Sequence, residues 1–264
     1  CARTSRRTLR EVPVSENQLI DELRQRFSAQ ELVRLEPCIR AQREPSDPLQ
    51  RPGFLYLPFL ESTSCHRVPD SQWVRDLQRS FDTIHAECKR VVAAEGFRPY
   101  SGPGDDPCFW DGRWDAYYLL HTKRVSPRAA IDCPTTVRCL QAVPRLDEYA
   151  FFSRLAPAAR IRPHCGPWNC RVTFHLGIEV PPGSWLRVGS ETRRWRSGGL
   201  LAFDDSYEHE VRNDGDSTRI VLVFTTWHPD LADAEIEALR LIDALSPIPG
   251  REEHTTEVLE RGHA

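Results

Sequence analysis

Two histidines and one arginine carry the chemistry this sequence suggests. His164 lies in Arg162-Pro163-His164-Cys165-Gly166-Pro167-Trp168-Asn169, and His209 lies 45 residues further on, in Phe203-Asp204-Asp205-Ser206-Tyr207-Glu208-His209-Glu210. Arg219 follows ten residues later and opens onto the apolar run Ile220-Val221-Leu222-Val223-Phe224. Imidazole is a good ligand for iron. An arginine in an apolar strand is costly unless an anion pairs with it. Two imidazoles on neighbouring strands, with a buried arginine after them, suit an iron site with an anionic co-substrate beside it.

A single histidine is more often hydrogen-bonded or solvated than a ligand, so the joint context matters. On the run Cys170–Val180, strand alternation places Arg171, Thr173 and His175 on one face. Val172, Phe174, Leu176 and Ile178 share the other. The polar stripe reads either as a solvated face or as the lining of a pocket next to His164, and its position just after His164 favours the pocket. Asp204 and Asp205 read either as surface turn residues or as groups that orient a water on the metal. A zinc site from His164, Cys165 and Cys170 matches no standard zinc spacing. Ser206 or Cys165 as a nucleophile has no supporting local signature.

The elements that must position these residues are legible in the period of the sequence. Residues 1–14 are basic and aperiodic and read as a flexible tail. Leu19, Ile20, Leu23, Phe27, Leu32 and Leu35 fall at helical spacings, with Ser28 as a cap for a second segment ending near Arg43. Trp73, Leu77, Phe81, Ile84, Cys88 and Val91 predict one amphipathic helix over roughly residues 70–94. Residues 15–110 therefore read as a helical N-terminal support. From Trp114 the period changes. Closely spaced β runs begin at Asp115, Tyr149, Arg160, Cys170, Trp185, Arg193, Leu200, Glu208 and Arg219. A short helix is expected at 134–143 and a terminal helix from Asp230 to Leu245. Turn signals such as Pro181-Pro182-Gly183 separate the β runs. Such spacing implies a mainly β sandwich or barrel over 111–264.

Bulk composition narrows the classes. The chain has 264 residues, 40% hydrophobic and 28% charged, as in ordinary soluble globular proteins. A net charge of −3 leaves no basic footprint and argues against nucleic acid as a partner. No run approaches the roughly 18 apolar residues of a membrane helix. Nine cysteines without a CxxC pair read as reduced thiols of a cytoplasmic protein. Cys133 with Cys139, or Cys165 with Cys170, would bridge only in an oxidising compartment. The chain starts at Cys1 and contains no methionine, so residues before it, a membrane anchor included, stay an open question.

Three motifs together resemble the aspartyl/asparaginyl β-hydroxylase family of Fe(II)- and 2-oxoglutarate-dependent oxygenases. They are Pro163-His164-Cys165-Gly166-Pro167-Trp168-Asn169, Val188-Gly189-Ser190-Glu191-Thr192-Arg193-Arg194-Trp195 and Phe203-Asp204-Asp205-Ser206-Tyr207-Glu208-His209-Glu210. The similarity extends from Gln50-Arg51-Pro52, through Cys133-Pro134-Thr135-Thr136, to Trp227-His228-Pro229. The resemblance implies a double-stranded β-helix (jelly-roll, cupin-like) with supporting helices at both ends. It implies His164 and His209 as iron ligands, and Arg219 with Ser153 as the grip on the distal carboxylate of 2-oxoglutarate. It further implies that His175 reaches the carboxylate beside the keto group.

Many relatives in the wider superfamily carry an aspartate two residues after the first histidine. Here that position is Gly166, as in the animal branch of the family, which manages with two histidines. Asp205 is then expected to hold a water in the vacant ligand position, and an aspartate placed at 166 is expected to add a third ligand. The animal enzymes also carry an arginine nine residues after that histidine, for an acidic substrate. Here it is Thr173, with Arg171 on the same face as the possible replacement clamp.

The implied activity is hydroxylation of an unactivated C–H bond using Fe(II), 2-oxoglutarate and O₂. The expected substrate is an aspartyl, asparaginyl or other amino-acid or peptide group. The alternatives are a lipid acyl chain, a catalytically silent carboxylate-binding protein of the same fold, and a metal-dependent hydrolase or isomerase on a cupin-like barrel.

Overall fold

The structure, a computed structural model, describes residues 15–41, 43–100, 110–121 and 124–245. The tail expected at 1–14 lies outside the described residues, as does the part of the expected core beyond 245. Two antiparallel sheets face each other. The larger sheet runs in the order β1 (Cys65–His66), β11 (Leu200–Phe203), β8 (Arg171–Glu179), β13 (Arg219–Trp227), β6 (Leu146–Leu155), β4 (Trp114–His121) and β2 (Arg98–Pro99). A short β5 (Arg124–Val125) also pairs with β4. The smaller sheet runs β10 (Glu191–Arg193), β9 (Ser184–Val188), β12 (His209–Asn213), β7 (Arg160–His164) and β3 (Trp110–Asp111). From β6 to β13 the chain changes sheet at every connection except the β9–β10 hairpin. That winding is a double-stranded β-helix, as expected.

Strand alternation divides the side chains of the larger sheet. Val172, Phe174, Leu176 and Ile178 of β8 pack with Ile220, Leu222 and Phe224 of β13 in the core on the outer face. That face is covered by α3 (Gln72–Arg79), α4 (Phe81–Ala93), α5 (Pro127–Asp132) and α6 (Pro134–Gln141). Trp73 of α3 lies edge-on to Phe174, with centroids 5.4 Å apart. The opposite face looks toward the smaller sheet and builds a second core from Leu155, Ile161, Leu186, Val188, Trp195, Phe203, Val211 and Val221. A third apolar cluster joins α1 (Glu16–Arg26), α2 (Leu35–Ala41) and α7 (Asp233–Leu245) to Trp168 and Trp227 at one end of the sheets.

The N-terminal stretch departs from the sequence expectation in three places. The single helix predicted over 70–94 is broken at Ser80, which ends α3 and starts α4. The apolar stripe is continuous across that break, so periodicity could not register it. Ser28 and Glu31 form the reciprocal bonds of a capping box, yet the chain makes turns there and helix begins only at Leu35. Residues 15–110 are also not wholly helical, because β1 and β2 extend the larger sheet and β3 begins at Trp110.

Cys133-Pro134-Thr135-Thr136 starts α6 without a side-chain cap of its own. The cap comes from Glu87 of α4, 1% exposed, whose carboxylate accepts from the backbone of Thr135 and Thr136, both at 2.9 Å, and from Thr136 Oγ1 at 2.6 Å. Proline at the first helical position removes one donor that would otherwise need a partner. Replacing Glu87 by Ala leaves two amides and a hydroxyl without an acceptor. An unfolding titration in urea is expected to show about 1–3 kcal/mol lost, with a smaller loss for Glu87→Gln.

Candidate active site

His164 ends β7 and His209 begins β12, and the two residues are direct cross-strand partners. The ladder shifts between His209 and Val211, an irregularity of the kind that re-aims side chains next to a site. The imidazole centroids are 4.1 Å apart. His164 Nδ1 donates to the Arg162 carbonyl at 2.8 Å, and His209 Nδ1 donates to the Tyr207 carbonyl at 2.9 Å. A ring whose Nδ1 carries the proton keeps its Nε2 lone pair, the form that ligates a metal. Burial pulls His164 down to about 3 and His209 down to about 4, so both rings are neutral at neutral pH. Among the described residues no group of three His, Cys, Asp or Glu side chains converges on one point.

Gly166 explains part of that arrangement. A Cβ built there would lie 2.5 Å from Asp205 Oδ1 and 2.7 Å from Asp205 Cγ. The Gly166 amide donates to the Asp205 carbonyl at 2.6 Å, which holds the two loops together. The carboxylate of Asp205 thus fills the space that a side chain at 166 would need. Any side chain at 166, an aspartate included, therefore requires Asp205 to move aside. Burial raises the Asp205 carboxyl above the usual range. Arg171, the Thr173 hydroxyl that donates to it at 3.2 Å, and His164 oppose the rise.

Arg219 lies between the sheets at 1% exposure. Its Nη1 donates to the Ser153 carbonyl at 3.2 Å and to Ser153 Oγ at 3.3 Å, while its Nε is buried with no hydrogen-bond partner. No carboxylate among the described residues pairs with it, and burial alone pulls its guanidinium down to about 9, still charged at neutral pH. His175 lies alongside on β8, 8% exposed, with Nδ1 buried and unpartnered. Burial, then the nearby Arg219 charge, holds its ring far below the ordinary histidine value.

A cavity of about 250 Å³ connects these groups. His164, His209, Asp205, Ser153, His175, Arg219, Arg171 and Thr173 all line it. The structure therefore brings every candidate residue to one place, though not every one in the expected capacity. Arg171 Nε lies 2.8 Å from Asp147 Oδ2, and its Nη2 lies 3.3 Å from Asp243 Oδ2. Its guanidinium also sits over the rings of Trp168 and Trp227, at 5.5 and 5.0 Å. A guanidinium held by two carboxylates and two indoles has no fork left for an acidic substrate. The reading of Arg171 as a substrate clamp is corrected to that of a brace between β6, β8 and α7.

Sequence reasoning gave no role to four residues that the geometry puts to use. Trp195 stacks on His175, centroids 6.0 Å apart, and carries the Arg219 guanidinium 5.1 Å above its ring. Trp114 Nε1 donates to Ser153 Oγ at 3.0 Å. Asp147 and Asp243 hold Arg171. Trp195 was visible as the last residue of the motif that begins at Val188. Nothing in the spacing links Asp243, 72 residues away in a terminal helix, to Arg171. The cysteines among the described residues are free thiols.

The donor set fits a metal with an anionic organic ligand. Two neutral imidazoles could supply nitrogen ligands, and the charge of Arg219, unpaired among the described residues, with the unpartnered Nδ1 of His175 could receive a carboxylate.

Comparison with known proteins identifies relatives of the chain as a whole. The family model described as "Aspartyl/Asparaginyl beta-hydroxylase" matches residues 78–229. Human "Aspartate beta-hydroxylase domain-containing protein 2" is 32% identical over 253 residues, covering 88% of this chain and 65% of that protein. Human "Aspartyl/asparaginyl beta-hydroxylase" is 32% identical over 178 residues, covering 65% of this chain and 23% of that protein. The chain spans about half to two thirds of the length of the first curated relatives it matches. Among solved structures, a Pseudomonas putida prolyl-4-hydroxylase matches with a TM-score of 0.40 and 19% identity, covering 63% of this chain and 91% of that one.

The Gly166 contact can be tested directly. Gly166→Ala is expected to lower stability by about 1–3 kcal/mol through overpacking, and Asp205→Gly in the same chain is expected to recover part of that loss. A double-mutant cycle from urea unfolding measures the coupling. Additive effects would mean that the two residues do not touch.

Proposed function

The chain belongs to the aspartyl/asparaginyl β-hydroxylase family, and from that premise we propose that it is an Fe(II)- and 2-oxoglutarate-dependent hydroxylase acting on an unactivated C–H bond. The observation that carries the proposal is Arg219, a fully buried guanidinium with no carboxylate partner among the described residues, beside two neutral histidines on adjoining strand ends. A bare buried charge is costly, and a dianionic co-substrate offsets that cost.

His164 and His209 would hold the metal through Nε2. The carbonyls of Arg162 and Tyr207 fix each ring's tautomer and direction. Arg219 and Ser153 would hold the distal carboxylate of 2-oxoglutarate. Ser153 Oγ already accepts from Trp114 and Arg219, so its own proton is left to donate to an anion. His175 would donate from its unpartnered nitrogen to the carboxylate beside the keto group. Trp195 keeps the His175 ring and the Arg219 guanidinium in place by stacking. Asp205 would hold a water or the substrate next to the metal, steadied by the Thr173 hydroxyl. Ile161, Val211, Val223 and Phe203 line the same cavity and exclude bulk water. Bound Fe(II), with 2-oxoglutarate and O₂, supplies the oxidising power that none of these side chains has.

His164→Ala and His209→Ala are each expected to abolish Fe(II)-dependent succinate release while the far-ultraviolet circular dichroism stays unchanged. Wild-type turnover in either variant would remove the metal assignment. Arg219→Ala is expected to raise the 2-oxoglutarate dissociation constant at least about 100-fold, since breaking a buried charge pair costs on the order of 3–5 kcal/mol. The titration uses the Mn(II)-loaded protein, and an unchanged constant rejects the role. Tight 2-oxoglutarate binding with no succinate from the wild type, whatever substrate pool is supplied, would instead identify a carboxylate-binding protein of this fold.

A further inference from the structure

We infer that the cavity takes a substrate bearing a cationic alkylammonium group rather than an acidic one, an inference that rests on the hydroxylase reading for its choice of cavity. The charges that line the cavity motivate it. Among the described lining residues the arginines are Arg219 and Arg171. Arg219 stands at the co-substrate end beside Ser153, and Arg171 is already held by Asp147 and Asp243. Thr173 offers no positive charge, and its hydroxyl is spent on the carboxylate of Asp205. An acidic substrate would therefore enter a space in which two lining carboxylates, Asp147 and Asp205, face one braced guanidinium.

Asp147 supplies the specific anchor. It is 1% exposed and lines the cavity. Its Oδ2 is engaged by Arg171 and, at 3.5 Å, by the Thr225 hydroxyl. Its Oδ1 is buried without any hydrogen-bond partner. A buried carboxylate oxygen left bare is costly, and a donor cation is the ligand that removes the cost.

The neighbours of Asp147 fit the rest of such a ligand. Tyr149 and Phe151 follow it at alternate positions on β6 and line the same cavity. Phe151 lies 5.3 Å from Tyr118 across the ladder, and Tyr149 packs edge-on to His121 at 5.1 Å. Aromatic faces attract ammonium groups and also accept the methylenes attached to them. A plain acyl chain would satisfy the rings but leave Asp147 bare. The same ammonium chemistry occurs on a free amine and on a lysine side chain in a peptide, and the two can be separated by experiment.

The test measures binding to the full chain loaded with Mn(II) and 2-oxoglutarate, read by calorimetry and by the fluorescence of the cavity tryptophans. The probes are n-butylammonium, tetramethylammonium, a lysine-centred pentapeptide, its aspartate counterpart and octanoate. At least one ammonium probe is expected to bind at least tenfold tighter than both the aspartate peptide and octanoate. A lysine peptide that outbinds butylammonium assigns the group to a protein side chain, and the reverse order assigns it to a free amine. Asp147→Asn is expected to weaken the preferred ammonium probe at least tenfold while 2-oxoglutarate affinity stays within twofold.

Phe151→Leu, which keeps every charge, is expected to weaken the same probe at least threefold, and it serves if Asp147→Asn does not fold. Tighter binding of the aspartate peptide or of octanoate overturns the inference, as does ammonium binding that is indifferent to both substitutions. No turnover is needed for this readout. Ammonium binding with no succinate release from the Fe(II)-loaded protein would sink the hydroxylase reading alone. Succinate release stimulated by the aspartate peptide and not by any ammonium probe would sink this inference alone.

Discussion

The register of β13 between β6 and β8 is the constraint on which the rest of the molecule depends. Val221 lies opposite Ser153 on one side and Gly177 on the other, and Val223 lies opposite Phe151 and His175. With a side-chain period of two, that register sends Ile220, Leu222 and Phe224 to the helix-covered core and Arg219, Val223 and Thr225 to the cavity. A slip by one residue would put the guanidinium among phenylalanines and Phe224 into the cavity. The stacked rings of Phe174 and Phe224, 5.2 Å apart under the edge of Trp73, oppose such a slip. Packing on the outer face thus guarantees the chemistry on the inner one.

The same residue type is used in two opposite ways within one cavity. Arg171 is surrounded by two carboxylates and two indoles, which neutralise it and tie helix α7 to the sheet. Among the described residues Arg219 receives a serine, a carbonyl and one indole face, and burial pulls its guanidinium down. The difference separates a structural ion pair, already complete in the protein, from a charge that calls for a ligand. It also gives the cavity a direction, with the bare cation at one end and the bare carboxylate oxygen of Asp147 at the other.

Gly166 and Asp205 are fitted to each other across two loops. A side chain on 166 would require Asp205 to move aside, and the turn after β11 that carries Asp205 is itself braced. Asp204 accepts from the Ser206 amide at 2.8 Å and from Gln50 Nε2 at 3.1 Å, both buried contacts. Gln50 belongs to the Gln50-Arg51-Pro52 stretch, so an N-terminal segment far from the histidines in sequence determines where the acid beside them sits.

The alternating faces of β8 were legible in the sequence, because strand periodicity depends only on residues two apart, and His164, His209 and Arg219 stood out by residue type and spacing. The double-stranded β-helix and most strand bounds followed from that alternation, from turn residues and from the resemblance the motifs carry. The break at Ser80 was not legible, since an apolar stripe continues through it and only the packing of α3 against Phe174 distinguishes two helices from one. Nor was the role of Arg171. Its face could be read from alternation, but a charge pair with Asp243 depends on where the terminal helix docks. Local spacing determines which way a side chain points. What it meets there is decided by contacts between residues distant in sequence, and those exist only once the two sheets and their helices have closed around the cavity.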